Sequence, residues 1–175
     1  MRPLPRLVLA LLVVTFCVGC DQGTKYVAAE ALRGAPPRSY VWDTVRLFYF
    51  ENPGSFLGLG AGLPEPVRYA LFVAGIGAIL VALIAFLLLA HAPAPTTVAG
   101  LALLIGGAAS NWFDRVRHGN VVVDFLNVGI GPLRTGVFNL ADLLLELGLL
   151  ILLLRFAAPR ERHGRHLLDQ RIPQT

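Results

Sequence analysis

The stretch from Val67 to Ala90 constrains this chain most. It is an apolar run long enough to cross a bilayer, which takes roughly 20 residues. Two more runs of near-spanning length follow, Thr96 to Phe113 and Val137 to Phe156, and a shorter one, Leu7 to Cys20, precedes it. Only 15% of the 175 residues are charged. Soluble domains carry about 25%. The chain is therefore expected to be a polytopic membrane protein, mainly α, with four transmembrane helices.

The first run can be read in two ways. Arg2 and Arg6, a short apolar stretch and then Val18-Gly19-Cys20 have the layout of a lipoprotein signal peptide, which would be cut before Cys20. About 14 apolar residues suits that reading and is short for a span. However, a secreted lipoprotein turns polar after its cysteine, and this chain does not. Continuing the helix through Asp21 to about Leu32 supplies the missing length, so Cys20 is read as an uncut helix residue. Cys17 and Cys20 have C-x-x-C spacing, but no soluble redox fold surrounds them and no other cysteine exists to pair with.

The formal net charge of +4 comes mostly from the ends, Arg2 and Arg6 at one and Arg155, Arg160, Arg162, Arg165 and Arg171 at the other. Basic ends beside apolar helices mark the cytoplasmic side and face anionic lipid. The expected spans are about 7–31, 67–90, 96–113 and 137–156, with outer loops at 32–66 and 114–136 and a basic cytoplasmic tail at 159–175. Nucleic-acid binding is not expected, because the tail has no folded reader or interleaved aromatics. In the first outer loop, Ser39 to Phe50 is β-branched and aromatic and reads as strand. Gly119 to Gly136 mixes β-branched runs with glycine, and the two segments are expected to pair into a small sheet on the outer membrane face.

Alternating span direction brings the unusual polar residues to one face of the membrane: Asp21 and Lys25, Glu51, Asn52 and Gly54, Asn111, Asp114 and Arg115, Asp124, Asn139 and Asp142. Asp, Lys or Arg costs roughly 2.5–3.5 kcal/mol at a helix centre in lipid, so such groups are functional candidates. Plainer readings exist. Asp21 and Lys25 are spaced for an i,i+4 pair. Asp114 and Arg115 suit a charged cap with a local ion pair. Asn139 suits either a cap at the start of span four or a group that holds the Asp142 carboxyl in place. Glu146 lies one turn deeper than Asp142 on the same helix face and reads as a proton-sharing neighbour or a polar contact to another span in preference to a catalytic group. His118 reads as a solvated loop residue; His91, His163 and His166 spell no metal-ligand pattern, and neither metal nor cofactor is expected.

Asp124 and Asp142 are the pair suited to chemistry. Two close carboxyls in a partly desolvated site share a proton. The ionised one can activate water while the protonated one polarises an amide carbonyl. From spacing alone, a small proton-coupled transporter or channel subunit and a structural ion-pair network remain open. A transporter would need mid-membrane acids on several helices and an internal repeat. Only Glu146 leans that way and no repeat is visible. No G-x-G-D block of presenilin-like proteases is present.

Four blocks, in order, resemble one known family: D-Q-G-T-K (Asp21 to Lys25), E-N-P-G-S-F (Glu51 to Phe56), G-G-A-A-S-N-W-F-D-R through N-V-V-V-D-F (Gly106 to Phe125) and F-N-L-A-D (Phe138 to Asp142). The sequence resembles signal peptidase II, the bacterial lipoprotein signal peptidases. The resemblance implies an intramembrane aspartyl endopeptidase of the cytoplasmic (inner) membrane, with both termini cytoplasmic and its site near the outer leaflet. It would occupy residues 1–158, cut diacylglyceryl-modified prolipoproteins before the lipidated cysteine, and act among membrane lipids as a monomer. The catalytic aspartates would fall on Asp124 and Asp142. The supporting shell would be Asp21, Lys25, Asn52, Gly54, Asn111, Asp114, Arg115 and Asn139. Pro53 and Ser55 depart from the family's usual second block, and Ser110 stands where a glycine commonly precedes the asparagine.

Overall fold

The structure, a computed structural model, describes residues 2–55, 58–91 and 93–157. The expected tail at 159–175, with Arg160, Arg162, Arg165 and Arg171, lies outside the described residues, as do His163, His166 and Phe56.

The first helix, α1, is unbroken from Pro3 to Leu32 and passes straight through Cys17 and Cys20. Proline opens it at a position where its missing N–H costs nothing. At 1.5 Å per residue α1 is about 45 Å long, and Asp21 lies about 27 Å from its start, near the far edge of a hydrocarbon layer of about 30 Å. A second apolar helix runs from Glu65 to Leu89 as α2 (Glu65–Tyr69), a π-helical stretch (Ala70–Gly75) and α3 (Ile76–Leu89). α4 (Pro95–Arg117) returns across the layer and α5 (Leu140–Ala157) follows. α4 continues past the expected end at residue 113, so Asp114 and Arg115 are helical residues instead of loop residues. Three helices (α1, Glu65–Leu89 and α4) are long and apolar enough to cross a membrane. α5 carries Asp142, Glu146 and Arg155 and falls outside that group.

α4 is the centre of the bundle, packing against α1, α3 and α5. The core joins Ala10 of α1, Leu80 and Leu87 of α3, Val98, Leu101, Ala102 and Ile105 of α4, and Leu152 of α5. Close approach is possible because α4 and α5 present glycine where they cross. A Cβ on Gly107 would lie 2.6 Å from the Ala141 carbonyl and one on Gly148 2.7 Å from the Gly100 carbonyl, and at the crossing of α4 with α1 a Cβ on Gly106 would lie 2.6 Å from Cys17 Cβ. Small residues at such crossings let apolar helices gain dispersion contacts where no hydrophobic effect separates helix from lipid. The outward faces expose Leu11, Leu12, Phe16, Ile84, Leu150 and Leu154, as an apolar solvent allows. At the opposite end from Asp21, Arg6 donates to the carbonyls of Leu88 (2.8 Å) and Ala90 at the end of α3, where helical carbonyls lack partners.

The two strand-prone segments do pair. The sheet is antiparallel in the order β1-β2-β3-β4, with β1 Arg38–Tyr40, β2 Val45–Asn52, β3 Val122–Ile130 and β4 Leu133–Arg134. The expected single strand over 39–50 is in fact a hairpin. Val41, Trp42 and Asp43 all have positive φ and reverse the chain. Asp43 steadies this costly turn by accepting hydrogen bonds from Ser39 Oγ and from both Nε and Nη2 of Arg46. The β2–β3 register sets Phe50 opposite Asp124 and Asn52 opposite Val122, with an irregularity between Leu47 and Phe50.

Candidate active site

β3 delivers Asp124, and β2 delivers Asn52 to the same face, one diagonal step away. The Gly54 N–H donates to Asn52 Oδ1 (2.9 Å), which turns the amide so that Nδ2 donates to Asp124 Oδ2 (2.9 Å). A side chain at Gly54 would collide with the backbone of Gly58 and Leu59 at 2.6–2.8 Å, so this turn needs glycine. Asp124 is 2% exposed, and burial pushes its carboxyl up to about 7, with the nearby Asp142 charge adding to the rise and the Asn52 and Asn139 hydrogen bonds opposing it.

Asn139 caps α5 and ties the second carboxyl to the first. Its Oδ1 accepts the Asp142 N–H (3.1 Å), while its own N–H donates to Asp142 Oδ2 (3.0 Å). This reciprocal arrangement is a capping box with Asn and Asp in place of Ser and Glu. The Asn139 Nδ2 group donates to Asp124 Oδ1 (2.6 Å). One asparagine therefore holds both aspartates. Asn111 of α4 completes the grip, donating from Nδ2 to Asp142 Oδ1 (2.9 Å). Its amide faces that way because Lys25, which can only donate, takes Asn111 Oδ1 (2.7 Å).

Behind this pair lies a second set of carboxyls. Lys25 Nζ reaches Asp21 Oδ2 (2.6 Å) and Asp114 Oδ2 (2.8 Å) as well as Asn111, which satisfies all three ammonium protons in a site where it is 4% exposed. Asp21 also accepts the Ser110 hydroxyl (2.7 Å) and, on its other oxygen, the Ala141 N–H (2.8 Å) at the start of α5, where an anion suits the helix dipole. The expected i,i+4 pair Asp21–Lys25 is present. The expected local pair of Asp114 with Arg115 is not. Asp114 turns to Lys25, Gln22 Nε2 (2.8 Å) and the Val123 N–H (3.3 Å), since successive helix positions face apart. Arg115 instead donates to the carbonyls of Gly54 (2.5 Å) and Asn120 (3.3 Å) beneath the Phe72 ring, fastening the outer loops to α4.

The expected aspartate pair and all of its expected supporting residues thus join one network, whereas Glu51 lies apart from it at the surface, accepting from Tyr49 (2.7 Å) and Arg33 (3.2 Å). Two partners had not been singled out, Gln22 and Ser110. Gln22 lies inside the D-Q-G-T-K block, and its neighbours there were the only signal. Ser110, standing where a glycine is common, supplies a hydroxyl that glycine could not. Glu146 is exposed and makes no hydrogen bond or ion pair with the described residues, and exposed His118 ends α4. A cavity of about 260 Å³ is lined by Gln22, Lys25, Arg33, Tyr49, Arg117 and His118 among others, but neither Asp124 nor Asp142 lines it. Among the described residues no cluster of His, Cys, Asp and Glu is spaced to hold a metal ion.

A profile of the signal peptidase (SPase) II family matches residues 13–158. The lipoprotein signal peptidase of Moorella thermoacetica is 35% identical over 164 residues, covering 93% of this chain and 99% of its own length. That of Syntrophus aciditrophicus is 33% identical over 147 residues, covering 83% and 90%. Two solved bacterial membrane enzyme structures superpose with a TM-score of 0.73 each, at 26% and 25% identity; the first covers 84% of this chain and 86% of its own, the second 86% and 94%. With matching blocks, fold and relatives along most of its length, the chain belongs to the signal peptidase II family of membrane-embedded peptidases.

Proposed function

We propose that this chain removes signal peptides from diacylglyceryl-modified prolipoproteins, cutting before the lipidated cysteine, with Asp124 and Asp142 as its catalytic groups. The observation that carries the reading is the double grip of Asn139, which bonds both carboxyls while no cation contacts either among the described residues. Held together with no cation in direct contact, the pair favours a state with one proton between its members. Asp124, pushed up to about 7, is suited to hold it at neutral pH.

The ionised Asp142 then takes a proton from water, and the hydroxyl oxygen attacks the scissile carbonyl carbon. Asp124 gives its proton to the carbonyl oxygen, forming an uncharged tetrahedral intermediate. Collapse breaks the C–N bond as a carboxyl proton passes to the leaving nitrogen. That nitrogen becomes the amino terminus of the lipidated cysteine, and the other aspartate recovers the hydroxyl proton. Amide donors fixed on both carboxyls cost no reorganisation at the moment of reaction.

The outward leucines of α5, and its place beside α4, favour it as a fourth span despite its three charges. Four spans put both termini on the cytoplasmic side of the inner membrane and the dyad near the outer leaflet, where a lipid-anchored cut site lies. The enzyme would act as a monomer. The test is a gel-shift assay with purified protein and a diacylglyceryl-modified prolipoprotein, beside Asp124→Asn, Asp142→Asn and an unlipidated substrate. Cleavage only of the lipidated precursor, lost in both folded variants, is expected. An intact precursor with the wild-type protein would contradict the reading.

A further inference from the structure

Glu146 is the ionisable side chain on α5 that the chemistry above leaves unused, and its surroundings give it a role. α5 turns Ala141, Gly148 and Leu152 inward; Ala141 and Gly148 meet Gly107, Gly100 and Leu104 of α4, and Leu152 meets Gly100. Leu144 and Ile151, on one flank of that contact, are half-buried. The other flank carries Asp142, Glu146, Leu149 and Leu153, spaced as a single helical stripe, and the last three are exposed. With Glu146, Leu149 and Leu153 all exposed, the stripe below Asp142 is open along its length. An exposed carboxyl one turn inside an apolar helix, with no partner among the described residues, is costly in lipid and needs a polar group from elsewhere.

We propose that Glu146 is a specificity-determining residue that hydrogen-bonds a hydroxyl-bearing side chain of the signal peptide shortly before the cut; this rests on the proposed peptidase reading. The distance fits. Four residues of helix rise about 6 Å, and an extended substrate covers that in about two residues at roughly 3.3 Å each. The signal peptide leads from the cut site toward the cytoplasmic side, which is the direction from Asp142 to Glu146. A serine or threonine two or three residues before the lipidated cysteine therefore arrives beside the carboxyl, with the apolar remainder lying over Leu149 and Leu153. Glu146 touches neither the water nor the scissile carbonyl.

The test uses two diacylglyceryl-modified prolipoproteins that differ only in threonine or its isostere valine at those two positions. They are cleaved by wild type, Glu146→Leu and Glu146→Gln, with thermal unfolding of each in detergent as the folding control. Wild type is expected to favour the threonine substrate. Glu146→Leu should lower kcat/KM on that substrate about tenfold, mostly through KM, as expected for one lost hydrogen bond in a dry site, and leave the valine substrate unchanged or improved. Glu146→Gln should restore most of the preference. Equal effects on both substrates, or none, overturn the assignment. If wild type cleaves the two equally while Asp142→Asn cleaves neither, the peptidase stands and the Glu146 role falls. If wild type cleaves neither, the two fall together.

Discussion

Two pairs of carboxyls lie side by side at the end of the bundle where the sheet sits, and they differ in what holds them. Asp21 and Asp114 share a buried lysine, whose three protons are all taken by fixed acceptors. Asp124 and Asp142 share an asparagine, and only neutral N–H groups bond them. Compensated charge in a dry site is a clamp, here joining α1, α4 and the start of α5. Uncompensated carboxyls in the same setting keep a proton and stay available for chemistry. The two sets touch through Asn111, which takes its orientation from Lys25 and gives its donor to Asp142, so the clamp also aims the proposed catalytic pair.

The sharpest way to break this contrast is to remove a carboxylate from one side and the shared lysine from the other. Asp124→Asn or Asp142→Asn should cost about 10³-fold or more in turnover with little loss of stability, read by the cleavage assay and thermal unfolding together. Lys25→Met should do the reverse. It leaves two buried anions uncompensated and should cost about 3–5 kcal/mol of stability, with activity per folded molecule falling less than in the aspartate variants. Next comes packing: Gly107→Ala forces a Cβ to within 2.6 Å of the Ala141 carbonyl and should cost about 1–3 kcal/mol by prising α5 from α4.

A pH series separates the pairs in a different way. The Asp124 carboxyl lies near 7 in the fold, against 3.8 for the free group. Between these values the folded state binds more protons than the unfolded one. Its contribution to stability is therefore full below 3.8 and is lost as pH rises through about 7. Asp124→Asn should lack this slope, and wild-type kcat/KM should fall about tenfold per pH unit above the upper pKa of the dyad. The smallest effect is expected at the surface. The Arg33–Glu51 contact is 3.2 Å long with both side chains at least half exposed, so Glu51→Gln should leave thermal unfolding essentially unchanged.

The sequence was informative about different parts of the molecule to different degrees. Helices announce themselves by length and apolarity, and α3 and α4 follow from that alone, whereas α1 through Cys20 follows only once the apolar character of the chain beyond the cysteine is taken in. Alternating span direction is enough to collect Asp21, Asn111 and Asp142 at one face. Partner choice is harder, because it depends on which way each side chain leaves its helix. Asp114 and Arg115 are neighbours in sequence and point to different partners for that reason. The hairpin at Val41 to Asp43 was hidden because β-branched and aromatic residues do not advertise positive φ; the Asp43–Arg46 contact that steadies it depends on the folded turn. Gln22 and Ser110 carried no signal beyond their neighbours, since a polar side chain's role here is set across helices about 90 residues apart in the chain.

The most direct test of the contrast is where the proton resides. Infrared spectra of the protein at pH 6 and pH 8 would follow the protonated-carboxyl band that titrates near neutrality in wild type, Asp124→Asn and Lys25→Met. The account predicts that the titrating band is present in wild type and absent from Asp124→Asn. A band that survives unchanged in Asp124→Asn would place the proton elsewhere and contradict the division between clamp and reactive pair.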